Sequence, residues 1–389
     1  MLSRIKNNTF IYNFISQMKQ YLFGFYKNLY KTNYDKNVLI SYITYPIRKG
    51  IRKLHTNYME LFIIIDVLKS LNFNIDLADY NYEGNIDYGK YDLIFGLGLP
   101  FGKSFYEKRA KRTIKICYMT GSLNLFNQME RNKYLKERKG VTVIPRRNYY
   151  WKYLQESISM SDAVITTGNE WTKSTITPYN NKVFCVRLPI YLPDKEFIIN
   201  TIAKKDFDRA RSNFLWFGSS GALHKGLDLC LDIFSKRTEL FLHVCGPVDR
   251  EEDFFDIYKT ELKGLKNIKY YGFVDIDTDI FKDIVNSSGF SLFPSCSEGG
   301  GGSLLTTMAY GLVPICTKES SVDINPNYGF LLPDFKIEII YNFVNYCTNL
   351  KEADLKNMSF NAIEYTFKNH NPDIYKQDLL NILRQLGVS

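Results

Sequence analysis

The chain has 389 residues, of which 45% are hydrophobic, 15% aromatic and 23% charged; this excludes a single small module and a disordered or collagen-like chain, and supplies apolar material for two cores. The formal charge of +9 is uneven, because residues 1–190 hold 29 Lys+Arg against 14 Asp+Glu (+15) and residues 191–389 hold the remaining −6. Seven dispersed cysteines with no Cys-x-x-Cys, beside four histidines, exclude zinc-ligand spacing and point to a reduced, cytoplasmic compartment.

The first 36 residues are basic, with Ile11, Phe14, Ile15, Met18, Leu22, Phe25 and Leu29 at helical spacing, which predicts one amphipathic helix or two. Two readings stand: a helix docked on the domain behind it, or one lying peripherally on an anionic inner membrane face. No apolar run approaches the roughly 18 residues of a membrane span, and the N-terminus lacks the apolar core and cleavage site of a signal peptide. From residue 37, NVLISYITY, FNIDLADY, YDLIFGLG, TIKICYMTG, DAVITTG and KVFCVRLP read as strands. Between the first two, Leu61, Ile64, Ile65, Leu68 and Leu71 share a helix face, and Asn57 with Glu60 resembles a capping box.

LPIYLPDKEF and the polar stretch to Arg211 read as a linker. Strands resume with NFLWFGS, LFLHVCG, IKYYGFV, GFSLFPS and LVPICT. Alternating strands and helices predict an α/β chain of two Rossmann-like, doubly wound parallel-sheet domains facing a cleft. The expected units are a helical preface over 1–36, a first domain over 37–190, a linker over 191–212, a second domain over 213–370, and a final helix in 371–389 that packs back on the first. Ligands in such sheets bind beyond the carboxyl ends of the strands.

Two segments there carry most of the chemistry. In FPSCSEGGGGSLLTTMAYGLVP a strand ends at Pro294, an acid stands at Glu298, and Gly299, Gly300, Gly301 and Gly302 lead to Ser303 and a helix. Unobstructed backbone N–H groups aimed from a helix N-terminus suit an anion such as a diphosphate. In FGSSGALHKGLDLCLDIF a strand ends at Gly218-Ser219 and a loop carries Lys225-Gly226 to the next helix. The helix dipole disfavours a cation there, so Lys225 suggests an anionic partner; a solvated surface lysine is the alternative.

A glycine-ended strand, then KG, VCG, YGFV and FPSCSEGGGG…MAYGLVPI in this order resembles the C-terminal domain of GT-B glycosyltransferases, nearest the retaining family 4 class (glycosyl transferases group 1), over residues 213–318. The resemblance implies sugar transfer, with retention and without a metal or other cofactor, from a nucleotide-sugar co-substrate to a polysaccharide, glycan or lipid-linked acceptor of the cell envelope. It implies that Lys225 contacts the diphosphate, that Glu298 binds donor-sugar hydroxyls and that Gly299 to Ser303 present amides. The second acid of the family's Glu-x7-Glu motif falls at Thr306, and the family's Gly-Arg is Gly218-Ser219 here. These departures keep open a non-catalytic nucleotide-sugar-binding partner subunit; a nucleotide-sugar epimerase is a further alternative.

On the acceptor side, His55 lies between a strand and a helix near Asn57, as a base, a hydroxyl ligand or a cap. Thr120 and Gly121 end another strand, and Glu130, Arg131, Arg146 and Arg147 follow as acceptor-binding candidates. Gly168-Asn169 reads as turn and cap, and Asp275 and Asp277 as N-capping groups. The glycines Gly96, Gly98 and Gly102 have the wrong spacing for a dinucleotide fingerprint. Hydrolase, NTPase and zincin motifs are missing, and no nucleic-acid signature accompanies the basic half.

Overall fold

The structure, a computed structural model, describes residues 24–50, 55–110, 112–123, 125–145 and 151–388. The first sheet contains β1 (Phe25–Tyr26), β2 (Lys36–Tyr42), β3 (Phe73–Asp79), β4 (Leu93–Gly96), β5 (Ile114–Met119), β6 (Ala163–Thr167) and β7 (Val183–Val186) in the order β1-β3-β2-β4-β5-β6-β7. The second contains β8 (Asn213–Phe217), β9 (Phe241–Cys245), β10 (Ile268–Gly272), β11 (Phe290–Phe293), β12 (Val313–Thr317) and β13 (Phe330–Leu332) in the order β10-β9-β8-β11-β12-β13. All pairings are parallel except β1 with β3. Strand order reverses between β2 and β4, and again between β8 and β11; such switch points open crevices at the carboxyl ends.

The helices that shape the cleft are α1 (Asn57–Ser70), α2 (Leu125–Lys139), α3 (Leu227–Phe234), α4 (Gly302–Ala309), α5 (Glu352–Asn369) and α6 (Pro372–Gln385). Side chains of β2 alternate between the sheet faces: Val38, Ile40 and Tyr42 join one apolar cluster and Leu39 another, as the two-residue period of a strand requires. Tyr375, Leu379, Ile382 and Leu383 of α6 belong to the first of these clusters. Burying each contributes about 2 kcal/mol, enough to draw α6 onto the first domain although it follows the second in sequence. In the opposite sense, Leu135 and Val143 pack into the second domain's core.

Three expectations change. Residues 1–23 of the preface lie outside the described residues, and its next residues are not helical: Phe25 and Tyr26 pair with Ala78 and Leu77. The open edge of β3 offers unpaired backbone groups, and aromatic side chains fit a pleated surface. The stretch expected as a linker contains helices Lys195–Ala203 and Phe207–Ala210, whose N-caps Asp194 and Asp206 accept from Phe197 N at 2.7 Å and Arg209 N at 3.0 Å. Its Ile198, Ile202 and Phe207 are core residues. Thr278, not the Asp pair, caps helix Asp279–Ser287, while Asp275 accepts from Asp277 N at 3.0 Å and so forms the preceding turn.

Candidate active site

A cavity of about 540 Å³ lies where the carboxyl ends of the two sheets face each other. From the second domain it is lined by Gly218, Ser219, Lys225, Glu298, Gly299, Gly302, Ser303 and Thr306. From the first domain come His55, Asn57 and Thr120. Eleven of the candidate site residues read from the sequence thus meet in one place. The remainder do not line it.

Lys225 and Glu298 are 3% and 7% exposed, and the Lys225 ammonium donates to Glu298 Oε1. Two buried opposite charges are tolerable only when paired and further hydrogen-bonded. Ser295 Oγ donates to the same oxygen at 3.2 Å, and His224 Nε2 stands 3.6 Å from it. Lys225 is held from behind, since Trp216 Nε1 donates to its carbonyl at 3.1 Å. The next residue, Gly226, has φ +74°, and a Cβ there would lie 2.4 Å from the Pro294 carbonyl oxygen. Only glycine lets this loop pass so close to the end of β11.

Gly301 caps α4, and Gly302 and Ser303 open it at the cavity wall. Gly300 and Gly301 lie one layer back, against Leu188 and Val322. A Cβ on Gly299 would come within 2.0 Å of the Thr120 carbonyl oxygen and 2.6 Å of Gly121 Cα; the domains touch there backbone to backbone. Ser122 N donates to Glu298 O at 3.2 Å and Thr167 Oγ1 to Gly299 O at 3.1 Å, across the same seam. Gly121 therefore spaces the domains. Thr306, in the place of the family's second acid, donates its hydroxyl to Gly302 O at 2.8 Å inside α4. In the loop after β8, Ser219 faces the cavity, while Ala222 N at 3.1 Å and Ser220 Oγ at 3.2 Å donate to the Glu251 carboxylate.

Arg131 departs from its expected role. It is fully buried outside the cavity, with Nη2 donating to Pro294 O at 2.7 Å and its guanidinium 4.5 Å from the Phe335 ring centroid. It braces α2 against the second domain, because a side chain sealed this way has no surface for an acceptor. Glu130 is exposed and also outside the cavity. Arg146 and Arg147 lie outside the described residues. Asn169 accepts from Trp171 N at 3.2 Å and Thr172 N at 3.4 Å, a helix cap. The Gly96 to Gly102 stretch joins β4 to a helix, Gly98–Lys103.

Sequence reasoning missed much of the first-domain wall: Tyr42, Tyr45, Thr56, Glu60, Tyr80 and Tyr191. Glu60, noticed only as a capping acid, turns inward. Its Oε1 accepts from Thr56 Oγ1 at 2.8 Å, and its Oε2 from Tyr118 OH at 2.8 Å and Tyr42 OH at 3.2 Å. Burial raises its pKa, and the three hydroxyl hydrogen bonds oppose that rise. The alternation of β2 and β5 was the available signal, placing Tyr42 and Tyr118 on sheet ends that face the cleft.

Residues 199–333 match the family described as Glycosyl transferases group 1. No curated protein sequence matches the chain significantly. Among solved structures, TarM of S. aureus, in complex with fondaparinux, alpha-GlcNAc-glycerol and UDP, is 13% identical with a TM-score of 0.51, over 75% of this chain and 55% of TarM. The chain thus spans about half the length of TarM. Anabaena HepE in complex with UDP and glucose is 10% identical with a TM-score of 0.58, over 90% of this chain and 99% of HepE. Sucrose-phosphate synthase from Thermosynechococcus elongatus is 12% identical with a TM-score of 0.63, over 90% of this chain and 99% of its own. At such identities the likeness establishes the fold. Residues 199–333 thus resemble a glycosyl transferases group 1 domain, and the chain that contains them has the two-domain GT-B fold.

Proposed function

We propose that the chain transfers a sugar from a UDP-linked donor, held by the second domain, to a glycan or lipid-linked acceptor held by the first, with retention of anomeric configuration and with the leaving group's charge met by the protein itself. The observation that carries this reading is the convergence of the α4 N-terminus with the buried Lys225–Glu298 pair in one interdomain cavity. Breaking a glycosidic phosphate bond builds positive charge on the sugar and negative charge on the departing diphosphate. The partial positive charge of a helix N-terminus and a fixed ammonium stabilise the latter at the moment it forms. Glu298 holds the ammonium at the wall, and its carboxylate suits the hydroxyls of the donor sugar. HepE and TarM, both solved with UDP bound, support the nucleotide choice. The +15 of residues 1–190 supports an acceptor presented at an anionic inner membrane face.

The test is transfer from UDP-glucose and UDP-N-acetylglucosamine to membrane lipids and glycans, followed by radiolabel. Lys225→Ala and Glu298→Ala should each lower transfer by about ten-fold or more, with far-UV circular dichroism unchanged. Undiminished transfer in both variants removes the site assignment. One observation favours a second reading, a nucleotide-sugar-binding partner subunit: Thr306 replaces the second acid and spends its hydroxyl proton inside α4. Saturable UDP-sugar binding without transfer to any acceptor would decide for it.

A further inference from the structure

We infer that the first-domain wall of the cleft is a subsite for a neutral, polyhydroxylated sugar unit at the reacting end of the acceptor, held by the Glu60 carboxylate and the Thr56 hydroxyl oxygen. The inference rests on the glycosyl-transfer reading above and adds the chemical class of the acceptor. Its ground is which hydrogen-bonding roles the wall has left to offer.

Thr56 stands directly against the donor side: its methyl carbon lies 3.4 Å from where a Cβ on Gly302 would be. Its one hydroxyl proton goes to Glu60 Oε1 at 2.8 Å, so toward a ligand Thr56 Oγ1 can only accept. An ionised carboxylate offers about four acceptor positions. Three on Glu60 are taken, by Thr56, Tyr118 and Tyr42, and the one left is on Oε1. The neighbouring Asn57 amide donates to Tyr45 OH at 2.7 Å, while its Oδ1 has no partner among the described residues. The Asn57 oxygen is buried behind the wall, so Thr56 and Glu60 are the groups of this helix start that present acceptors to the cavity they line.

Such a wall binds groups that donate. Sugar hydroxyls do; phosphate and carboxylate oxygens at neutral pH do not, and beside Glu60 they would also meet a like charge. The rings of Tyr45, Tyr80 and Tyr191 line the same wall, and flat aromatic faces suit the C–H faces of a pyranose. A carboxylate only 2% exposed is costly to keep in a fold where an apolar residue would pack instead. Recognition of hydroxyls accounts for a carboxylate at this place. A lipid or glycan carrying the sugar can be charged elsewhere, but the unit in this subsite is not.

The experiment uses the full chain, UDP-glucose and UDP-N-acetylglucosamine as donors, and p-nitrophenyl glycosides alongside the matching sugar phosphates as acceptors. UDP affinity is measured separately by calorimetry. Neutral glycosides should be turned over in preference to the phosphates. Glu60→Gln and Thr56→Val should each raise the glycoside KM by about ten-fold, the scale of a lost hydrogen bond to a charged group, and shift the UDP Kd by less than about two-fold. Glu60→Asp should recover part of the loss. Because Glu60 also ties the buried Tyr42 and Tyr118 hydroxyls, Thr56→Val, which leaves the tyrosine contacts in place, is the cleaner variant. Preference for sugar phosphates, an unchanged glycoside KM in Thr56→Val, or UDP binding with no turnover of any neutral glycoside would overturn the inference. Failure to bind UDP, or UDP binding with transfer to no acceptor of either kind, would instead overturn the glycosyl-transfer reading, and the inference with it.

Discussion

A neutral lysine amine has two N–H donors, and the pocket around Lys205 supplies two acceptors: Val285 O at 2.9 Å and Ser288 O at 2.5 Å. The third proton of an ammonium would face the Phe207 ring, 5.6 Å from the nitrogen. Burial accordingly brings the Lys205 pKa down to about 7, against about 10.4 in the unfolded chain. Between these values the unfolded chain binds the extra proton. Stability therefore rises with pH from about 7 to about 10, and this residue adds no slope below that window. Urea unfolding from pH 6 to pH 10 should show this rise in the wild type and lack it in Lys205→Met. Parallel curves would mean that Lys205 stays charged in the fold. Nothing in the sequence marked this lysine, because its neutrality depends on two carbonyls some 80 residues away.

At the scale of elements, the glycine-rich turn that opens α4 was legible because it is local. Strand β11, the glycine-rich turn and α4 follow one another within residues 290–309, and composition and order alone set their geometry. The first-domain wall of the cleft was not, because its parts converge only in the fold: Tyr42, Glu60, Tyr80 and Tyr191 come from separate stretches of the chain, and Glu60 is held by Tyr118 from 58 positions away. Edge strand β1 was hidden for another reason. Apolar spacing fits a helix over Leu22, Phe25 and Leu29, yet pairing with β3 satisfies backbone groups that no helical pattern reveals. The glycine turn also supports a sharp prediction. In Gly299→Ala the new Cβ meets the Thr120 carbonyl at 2.0 Å, backbone against backbone, so the seam must part. A stability loss of about 1–3 kcal/mol, the usual cost of overpacking, should accompany a fall in UDP-glucose transfer. The control is Gly264→Ala, whose Cβ has its nearest contact at an ordinary 3.8 Å; if it is as damaging in thermal unfolding and transfer assays, the seam is not the cause.

For the whole molecule, the charge contrast between the halves is partly consumed inside it. Basic α2 lies on acidic α3, where Arg138 pairs with Asp228 and Asp232, and Lys139 Nζ stands 3.0 Å from Asp232. The excess charge available to an outside partner is smaller than composition suggests. The chain crosses between domains twice, near residues 187–195 and 369–372, and the crossings are stitched together. His370 Nδ1 donates to Leu188 O at 3.0 Å, Ile190 N donates to His370 O at 3.0 Å, and Arg187 pairs with Asp378 at 2.6 Å. Burial lowers the His370 pKa to about 4, below the unfolded value of about 6.5. As pH falls through that interval the unfolded chain takes up a proton that the folded hinge refuses, so stability falls from about pH 6.5 to pH 4. His243 is lowered to about 4 as well, so the measurement must be a difference between variants that share it. His370→Asn retains an amide donor for Leu188 O and cannot titrate. Its unfolding free energy should decline less steeply than the wild type's across that interval and run parallel above it. Parallel curves throughout would show that acid acts on the molecule elsewhere than at the hinge.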